Sequence, residues 1–134
     1  MSNPEIRKGS CHCGGVAFEV RGDVPPVTFC HCEDCRKTTG HFHAAIGVTE
    51  ETFTLTKSDT LKWYASSERV SRGFCDLCGG NLFWKREGLE TELLSVQAGM
   101  FDTPTGLTGG RHIFVGEKSD YYEIGDDLPK VDIW

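Results

Sequence analysis

We predict an all-β fold for this chain from three features of its sequence. Apolar and polar or small residues alternate over short segments, as at residues 16–20, which is the period-two pattern of a strand with one buried face. Glycine, proline, aspartate and serine separate these segments at short intervals, and these residues favour turns. Many short strands with turn residues between them are typical of all-β domains.

The pattern places the strands and one short helix along the chain. Predicted strands lie at 16–20, 44–48, 52–56, 61–64, 81–85, 93–98, 112–115 and 121–124. A helix is expected near residues 33–40, because acidic residues begin this segment and basic residues follow, which complements the helix dipole. Gly40 is then placed where a helix often ends. The tail from Asp126 to Trp134 contains Pro129 and is expected to pack on the surface.

Length and charge limit the kinds of protein this chain can be. Its 134 residues predict a single domain spanning 1–134. A net charge of −6 argues against a nucleic-acid partner, which usually requires a basic face. No run approaches the ~18 apolar residues of a membrane span, and the start has no apolar segment like a secretory leader. We therefore expect a cytoplasmic protein with no membrane partner, whose thiols stay reduced.

Seven cysteines fall in three short clusters. They are Cys11-His12-Cys13, Cys30-His31-Cys32-Glu33-Asp34-Cys35 and Cys75-Asp76-Leu77-Cys78. Zinc is bound by tetrahedral sets of thiolates, which usually come from closely spaced pairs. A Cys-x-x-Cys turn brings two sulfurs to one ion, and side chains two residues apart on an extended chain point the same way. The clusters predict zinc, and His12 and His31 should point away from the neighbouring sulfurs.

Glycines after two of the clusters indicate how the cysteines divide. Cys11–Cys13 precedes Gly14–Gly15, and Cys75–Cys78 precedes Gly79–Gly80. Glycine after a metal turn permits a positive φ and close approach of the backbone. We expect these matching halves to form one closed, structural site of four thiolates. The remaining cysteines are Cys30, Cys32 and Cys35. Three protein ligands with one free position are typical of catalytic zinc.

The cysteines have three other possible uses. Disulfides are disfavoured by the odd number of cysteines, the tight spacings and the expected reducing compartment. An iron–sulfur cluster also uses closely spaced thiolates, but it would leave an uneven ligand set. The third alternative stays open: only the four-cysteine set binds metal, since metal affinity depends on geometry that spacing does not show.

Histidines and basic residues near these clusters are further candidates. His41 and His43 could reach the three-cysteine site as a ligand or proton carrier, although we interpret them as strand residues. His112 is expected only to hydrogen-bond the backbone. The basic positions that could recruit an anionic small molecule, or else be solvated surface charges, are Arg36–Lys37, Lys85–Arg86 and Arg111.

The cysteine motifs resemble those of a known family. The motifs are Cys-x-Cys-Gly-Gly at 11–15, Cys-His-Cys-x-x-Cys-Arg-Lys-x-x-Gly at 30–40 and Arg-Gly-Phe-Cys-x-x-Cys-Gly-x-x-Leu at 72–82. Their order is similar to that of the glutathione-dependent formaldehyde-activating enzymes, the GFA or CENP-V/GFA domain. Further similarity covers Leu61-x-x-Tyr64-x-Ser66-Ser67, Gly99-Met-Phe-Asp102, His112-Ile-Phe-Val and Leu128–Pro129, which is nearly the whole chain.

This resemblance implies a fold, a cofactor and an activity. The fold would be Mss4-like, with several short antiparallel sheets stapled by zinc, and there would be two zincs per chain. The structural ligands would be Cys11, Cys13, Cys75 and Cys78. The ligands of a second, more weakly held zinc would be Cys30, Cys32 and Cys35, which would also be the catalytic residues. The implied activity is that of a carbon–sulfur lyase joining formaldehyde to glutathione as S-(hydroxymethyl)glutathione.

The chain departs from the family pattern beside the predicted open site. His41 and His43 stand where small or aromatic residues are expected, and Tyr121 stands where tryptophan is frequent. These differences bear on which substrate is used. Two rival interpretations are a zinc-stapled module that binds glutathione without turnover, and an interaction domain with two structural metals. We expect Arg36, Lys37 or Arg111 to hold a carboxylate of a glutathione-like substrate.

Overall fold

The computed structural model describes residues 5–134. Residues 1–4 lie outside the described residues. They belong to the predicted domain 1–134 and to the N-terminal segment in which no secretory leader is predicted. The strands are β1 (Ile6–Ser10), β2 (Val16–Arg21), β3 (Val27–Cys30), β4 (His43–Val48), β5 (Phe53–Ser58), β6 (Leu61–Ala65), β7 (Val70–Cys75), β8 (Asn81–Arg86), β9 (Leu94–Gln97) and β10 (Gly109–Ile113). The helix is α1 (Glu33–Thr39), and short 3-10 turns lie at Ala98–Met100 and Val115–Glu117.

The strands form two sheets. A three-stranded sheet has the order β1-β2-β5, and a seven-stranded sheet has the order β10-β3-β4-β9-β8-β7-β6. Neighbouring strands are antiparallel except for β10 and β3, which are parallel. The predicted all-β fold with one short helix is confirmed.

The core lies between the two sheets. The buried apolar face of β2 consists of Val16, Phe18 and Val20, as its alternation predicts. The ring centroid of Phe18 lies 5.8 Å from that of Phe83 in the large sheet and 5.2 Å from that of Phe101. These edge-on contacts are a favoured arrangement of aromatic rings, and they join the small sheet to the large one.

The helix α1 begins and ends where the sequence predicts. Cys32 is its N-cap, and the Cys32 sulfur accepts a hydrogen bond from the backbone N–H of Cys35. Gly40 is left-handed, with φ 87°, and its N–H donates to the carbonyl of Arg36, which is a common helix ending. Within residues 5–134, no helix is long and apolar enough to cross a membrane.

The tail adds to the edge of the large sheet. His112 donates a backbone hydrogen bond to the carbonyl of Pro129, and Val131 donates to that of His112. Phe114 likewise donates to the carbonyl of Ile133. The tail therefore packs along β10 as expected. The predicted strand at 121–124 is wrong, because a turn ends at Tyr121 and residues 122–124 have no regular structure. The two tyrosines of this segment bond to histidines instead.

Candidate metal centres and active site

Four cysteines from two different sheets meet at one point. Cys11 and Cys13 lie in the connection between β1 and β2 of the small sheet, whereas Cys75 ends β7 and Cys78 follows it in the large sheet. Their four sulfurs lie within 4.8 Å of one another. A cation bound here would tie the two sheets together beside the shared core.

The sulfur separations fit a tetrahedral zinc site. Zinc–sulfur bonds of about 2.3 Å in a tetrahedron place the sulfurs about 3.8 Å apart. The sulfurs of Cys11 and Cys13 are 3.7 Å apart, and those of Cys13 and Cys75 are 3.5 Å apart. A disulfide would require about 2.05 Å, and all seven cysteines are free thiols. The donor set and its spacing suit zinc.

The glycine pairs after these cysteines provide the positive φ and the close backbone approach that the sequence predicts. Gly14 and Gly79 have φ of 82° and 80°, a conformation that other residues seldom adopt. A Cβ on Gly15 would lie 2.2 Å from Oγ1 of Thr60, and one on Gly80 would lie 3.3 Å from Cβ of Cys11. The first glycine of each pair turns the chain, and the second admits a close neighbour.

Hydrogen bonds favour the thiolate form of Cys75, one of these four sulfurs. Burial raises the pKa of Cys75, but hydrogen bonds from Thr60 and from the N–H groups of Cys78 and Leu77 outweigh it and bring the pKa to about 6. The Cys75 sulfur lies 3.0 Å from Oγ1 of Thr60 and 3.3 Å from the Cys78 nitrogen. Because the thiolate is the metal ligand, this environment favours metal binding.

The other three cysteines form a second cluster at a strand-to-helix junction. Cys30 ends β3, Cys32 caps α1, and Cys35 lies in its first turn. Their sulfurs also lie within 4.8 Å of one another, and Cys30 and Cys35 are buried. Hydrogen bonds from Cys30 and Cys35 lower the pKa of Cys32, and the interaction with Cys32 raises that of Cys30. Three close thiols thus favour a single shared negative charge unless a cation joins them.

A buried arginine completes this second cluster. Nη2 of Arg72 donates to Oδ2 of Asp34 at 2.8 Å and contacts the sulfur of Cys35 at 3.6 Å. Arg72 is only 5% exposed. A guanidinium so near to the thiols stabilises their ionised forms, and Asp34 fixes its position. The sequence gives little sign of this role, because β7 was not predicted as a strand.

The three-cysteine cluster opens into a cavity, which the four-cysteine cluster does not line. The cavity has a volume of about 550 Å³, within the usual range for small-molecule sites. Among its lining residues are three aromatic side chains, Trp84, Phe114 and Trp134. Its charged walls include Arg72, Arg86, Arg111, Glu90 and Glu92. This mixed lining suits a small ligand that carries charges of both signs.

Only some of the basic residues suggested by the sequence line the cavity. Arg111 and Arg86 line the cavity, whereas Arg36 and Lys37 are not among its lining residues. Lys37 lines a separate, smaller pocket that shares Asp34 and Arg72 with the cavity. Of the three residues expected to hold a substrate carboxylate, only Arg111 is placed to do so beside the three cysteines.

The two histidines that follow α1, His41 and His43, have different surroundings. His43 begins β4 directly opposite Cys30 and lines the cavity, where burial, followed by the charge of Arg72, lowers its pKa to about 4. His41 is exposed and bonds to the hydroxyl of Tyr121. The interpretation as a strand residue is correct for His43, whose side chain also belongs to the cavity, and wrong for His41, which lies in a bend before β4.

A buried chain of hydrogen bonds holds the tail against the three-cysteine strand. Nδ1 of His31 lies 2.5 Å from the hydroxyl of Tyr122, and its Nε2 lies 2.8 Å from Nδ1 of His112. Nε2 of His112 lies 2.9 Å from Oδ2 of Asp126. An ionised carboxylate only accepts, so Nε2 of His112 donates to Asp126. The expectation that His112 bonds only to backbone is therefore wrong, whereas His31 does point away from its neighbouring sulfurs.

Removing one hydroxyl from this chain should destabilise the fold. Tyr122→Phe leaves Nδ1 of the fully buried His31 without its partner, which costs about 1–3 kcal/mol. We expect that loss in the free energy of unfolding, measured by denaturant titration in zinc-saturated buffer. Tyr121→Phe is the matched control, because it removes a hydroxyl bonded to the exposed His41, and it should change stability by less than about 0.5 kcal/mol. Equal effects of both variants would contradict the buried chain.

Comparison with known proteins identifies the family. The sequence profile of the family described as "Glutathione-dependent formaldehyde-activating enzyme" matches residues 6–117, which include all seven cysteines. The chain belongs to this family. Residues 118–134, with Tyr122, Asp126 and Trp134, lie beyond the match, so part of the cavity wall comes from outside it.

Similarity to individual proteins is consistent with this family assignment. A protein of Halomonas elongata, whose name assigns it provisionally to the glutathione-dependent formaldehyde-activating enzymes, is 32% identical over 128 residues, covering 89% of this chain and 81% of the relative. An uncharacterised lyase of Schizosaccharomyces pombe is 24% identical over 119 residues, covering 89% and 85%. The fold is similar to a crystal structure of a Rhodobacter sphaeroides protein, with TM-score 0.58, 20% identity and coverage of 92% and 98%.

Proposed function

We propose that this protein is a zinc-dependent carbon–sulfur lyase whose active site is the cavity beside Cys30, Cys32 and Cys35. The reaction joins a glutathione-like thiol to a small carbonyl compound such as formaldehyde, or reverses that addition. The names of the family and of the two relatives support an enzyme of this type. The four-cysteine cluster is proposed to hold a structural zinc through Cys11, Cys13, Cys75 and Cys78.

One observation carries the proposal: the two cysteine clusters differ in their access to a cavity. Cys30, Cys32 and Cys35 all line the 550 Å³ cavity, whereas the four-cysteine set lies between the sheets and offers four sulfurs. Closed sets of four ligands are typical of structural zinc, and three ligands with an open position are typical of catalytic zinc. The arrangement therefore supports a structural zinc at the four-cysteine site and a catalytic zinc at the three-cysteine site.

The charged walls of the cavity match the charges of glutathione. Glutathione carries two carboxylates, one ammonium group and one thiol. In our proposal Arg86 and Arg111 hold the carboxylates, and Glu90 or Glu92 holds the ammonium group. Within residues 5–134, none of these four side chains forms an ion pair, so their charges are available to a ligand. Arginine suits carboxylates because two of its five N–H donors can bind both oxygens at once.

The residues of the cavity would bring the reacting groups together. Zinc held by the three cysteines would keep a substrate thiol ionised near neutral pH. Arg72 adds positive charge beside the sulfurs, and the ion pair with Asp34 keeps it in place. Holding both reactants in one cavity would make their reaction effectively unimolecular, which lowers its entropic cost.

Zinc analysis with and without glutathione tests the proposal first. We expect two zincs per purified chain by elemental analysis, with one of them lost or altered when excess glutathione is added. The second test follows exchange between free glutathione and its formaldehyde adduct by NMR, which the protein should accelerate. One zinc per chain, unchanged by glutathione, would contradict the open site. Glutathione binding without any acceleration would instead favour a non-enzymatic binding module.

A further inference from the structure

The floor of the cavity is one face of the large sheet. Its lining residues lie two positions apart along the strands, and side chains at that spacing point to the same face. The alternate residues of β4, Ile46 and Val48, belong to the core on the opposite face. The central part of the floor consists of Thr28 and Cys30 on β3, His43, Ala45 and Gly47 on β4, and Ser95 on β9.

The indole of Trp134 bridges this floor. Its centroid lies 5.4 Å from the ring centroid of Phe114, which follows β10. On the other side, Cζ of Arg86, at the end of β8, lies over the indole at 5.5 Å from its centroid. In the sheet, β10 and β8 are separated by β3, β4 and β9, the strands of the central floor. Since all three side chains line the cavity, these contacts place the indole across it.

The bridge is held more firmly on the β10 side than on the β8 side. The backbone N–H of Phe114 donates to the carbonyl of Ile133 at 3.1 Å, which ties the tail to the end of β10. On the β8 side the indole meets Arg86, which forms no ion pair within residues 5–134. Trp134 is 58% exposed, and an exposed cation–π contact changes an equilibrium only about two- to fivefold. The indole can therefore leave Arg86 at little cost while the tail stays paired.

Another exposed tryptophan has a different environment. Trp63 is 43% exposed, and Nζ of Lys85 lies 6.0 Å from its ring centroid. Its ring stacks on the buried Phe83, with centroids 6.1 Å apart, and it does not line the cavity. Trp63 is thus supported by the core, whereas Trp134 spans a cavity. The chain therefore offers a matched control for the role of Trp134.

We propose that Trp134 is a movable cover of the cavity, which its contact with Arg86 holds closed, and that opening of this cover limits how fast a thiol ligand enters and leaves. The inference rests on the proposed function, which makes this cavity the ligand site. It assigns a role to a residue that lies beyond the segment matched by the family profile. Loop and terminal segments that cover a site in this way commonly set the rates of ligand exchange.

The rates of glutathione binding test the cover. Stopped-flow mixing without a carbonyl compound, followed by the fluorescence of Trp84 in the cavity wall, measures association and dissociation separately. Trp134→Ala removes both contacts of the indole and should raise the two rates together by about fivefold or more, the combined factor of a cation–π contact and an aromatic pair. Trp134→Phe keeps an aromatic face for Arg86 and should bring both rates back towards the wild-type values. Trp63→Ala is the control and should leave both rates unchanged.

Two outcomes of that experiment would overturn the cover. Faster dissociation with an unchanged association rate in Trp134→Ala would show that the indole is a fixed wall in contact with the ligand. Wild-type values of both rates in Trp134→Ala would show that the indole does not limit access at all.

Fluorine NMR of the free protein separates the cover from the proposed function. In protein labelled with 5-fluorotryptophan, the signal of Trp134, assigned with Trp134→Phe, should show microsecond-to-millisecond exchange by relaxation dispersion. The signal of Trp63 should show none. Absence of exchange at Trp134 would overturn the cover even if the wild type turns over glutathione and formaldehyde. If Trp134 exchanges and controls both binding rates in a protein without turnover, the cover stands and the proposed function is wrong.

Discussion

Cys78→Ser is expected to leave most of the chain unfolded. In the structure, Cys78 belongs to the turn that brings the large sheet to the Cys11–Cys13 connection of the small sheet. Structural zinc contributes roughly 10–16 kcal/mol in small zinc domains, which is as large as the whole stability of a typical domain, about 5–15 kcal/mol. Loss of one of four sulfurs weakens that binding, so the two sheets lose their link.

Circular dichroism and elemental analysis measure this result directly. We expect the zinc of the four-cysteine site to be lost and the cooperative thermal transition to disappear, with partial recovery in excess zinc. Ser10→Ala is a suitable control, because Ser10 borders the Cys11–Cys13 connection and its hydroxyl, within residues 5–134, bonds only to the carbonyl of Cys11. If the Cys78→Ser variant keeps the zinc content and the thermal unfolding midpoint of the wild type, the proposed structural role of the four-cysteine site is wrong.

Local sequence was sufficient for much of the fold and for the grouping of the cysteines. Alternation located β2 because its apolar residues are all on one buried face. The helix was visible through its charges and Gly40. The two cysteine sets were predictable because glycine pairs accompany one set and a helix accompanies the other, and both sets are brought together in the structure.

The missing parts of the prediction depend on contacts distant in sequence. β7 has no clear alternation, since Arg72 and Gly73 are its buried centre, and a buried arginine is tolerated there only because Asp34 lies against it. The parallel pairing of β10 with β3 joins segments about 80 residues apart, so no local pattern reports it. Trp134 lines the cavity because the tail pairs with β10. Pro129 interrupts the sequence pattern of the tail, so this pairing was not predicted.

The polar chain from Tyr122 to Asp126 shows the same limit. Its members His31 and His112 lie in the cysteine motif at 30–40 and in the predicted strand at 112–115. Their partners Tyr122 and Asp126 come from the predicted strand at 121–124 and from the tail that follows it. A tyrosine hydroxyl and a carboxylate satisfy the buried rings, and this need outweighs the weak strand propensity of residues 121–124. Only the folded arrangement reveals which residues meet.

Cys32→Ser is expected to abolish turnover while leaving the fold intact. Cys32 supplies one sulfur of the three-cysteine cluster, and serine is a poor ligand for zinc compared with a thiolate. Its other role is to cap α1, where its sulfur accepts the N–H of Cys35 at 3.3 Å. Serine is among the preferred N-cap residues, so the substitution preserves the cap while removing the proposed metal ligand.

The expected measurements contrast with those for Cys78→Ser. Zinc content should fall from two per chain to one, the unfolding midpoint should stay within a few degrees, and the exchange rate of glutathione with its formaldehyde adduct should return to the rate without protein. Weakening even an indirect support of a metal ligand costs about 10–100-fold, so losing a ligand should cost more. Unfolding of both variants would mean that both clusters are structural. Full turnover by a folded Cys32→Ser chain would place the chemistry outside the three-cysteine cavity.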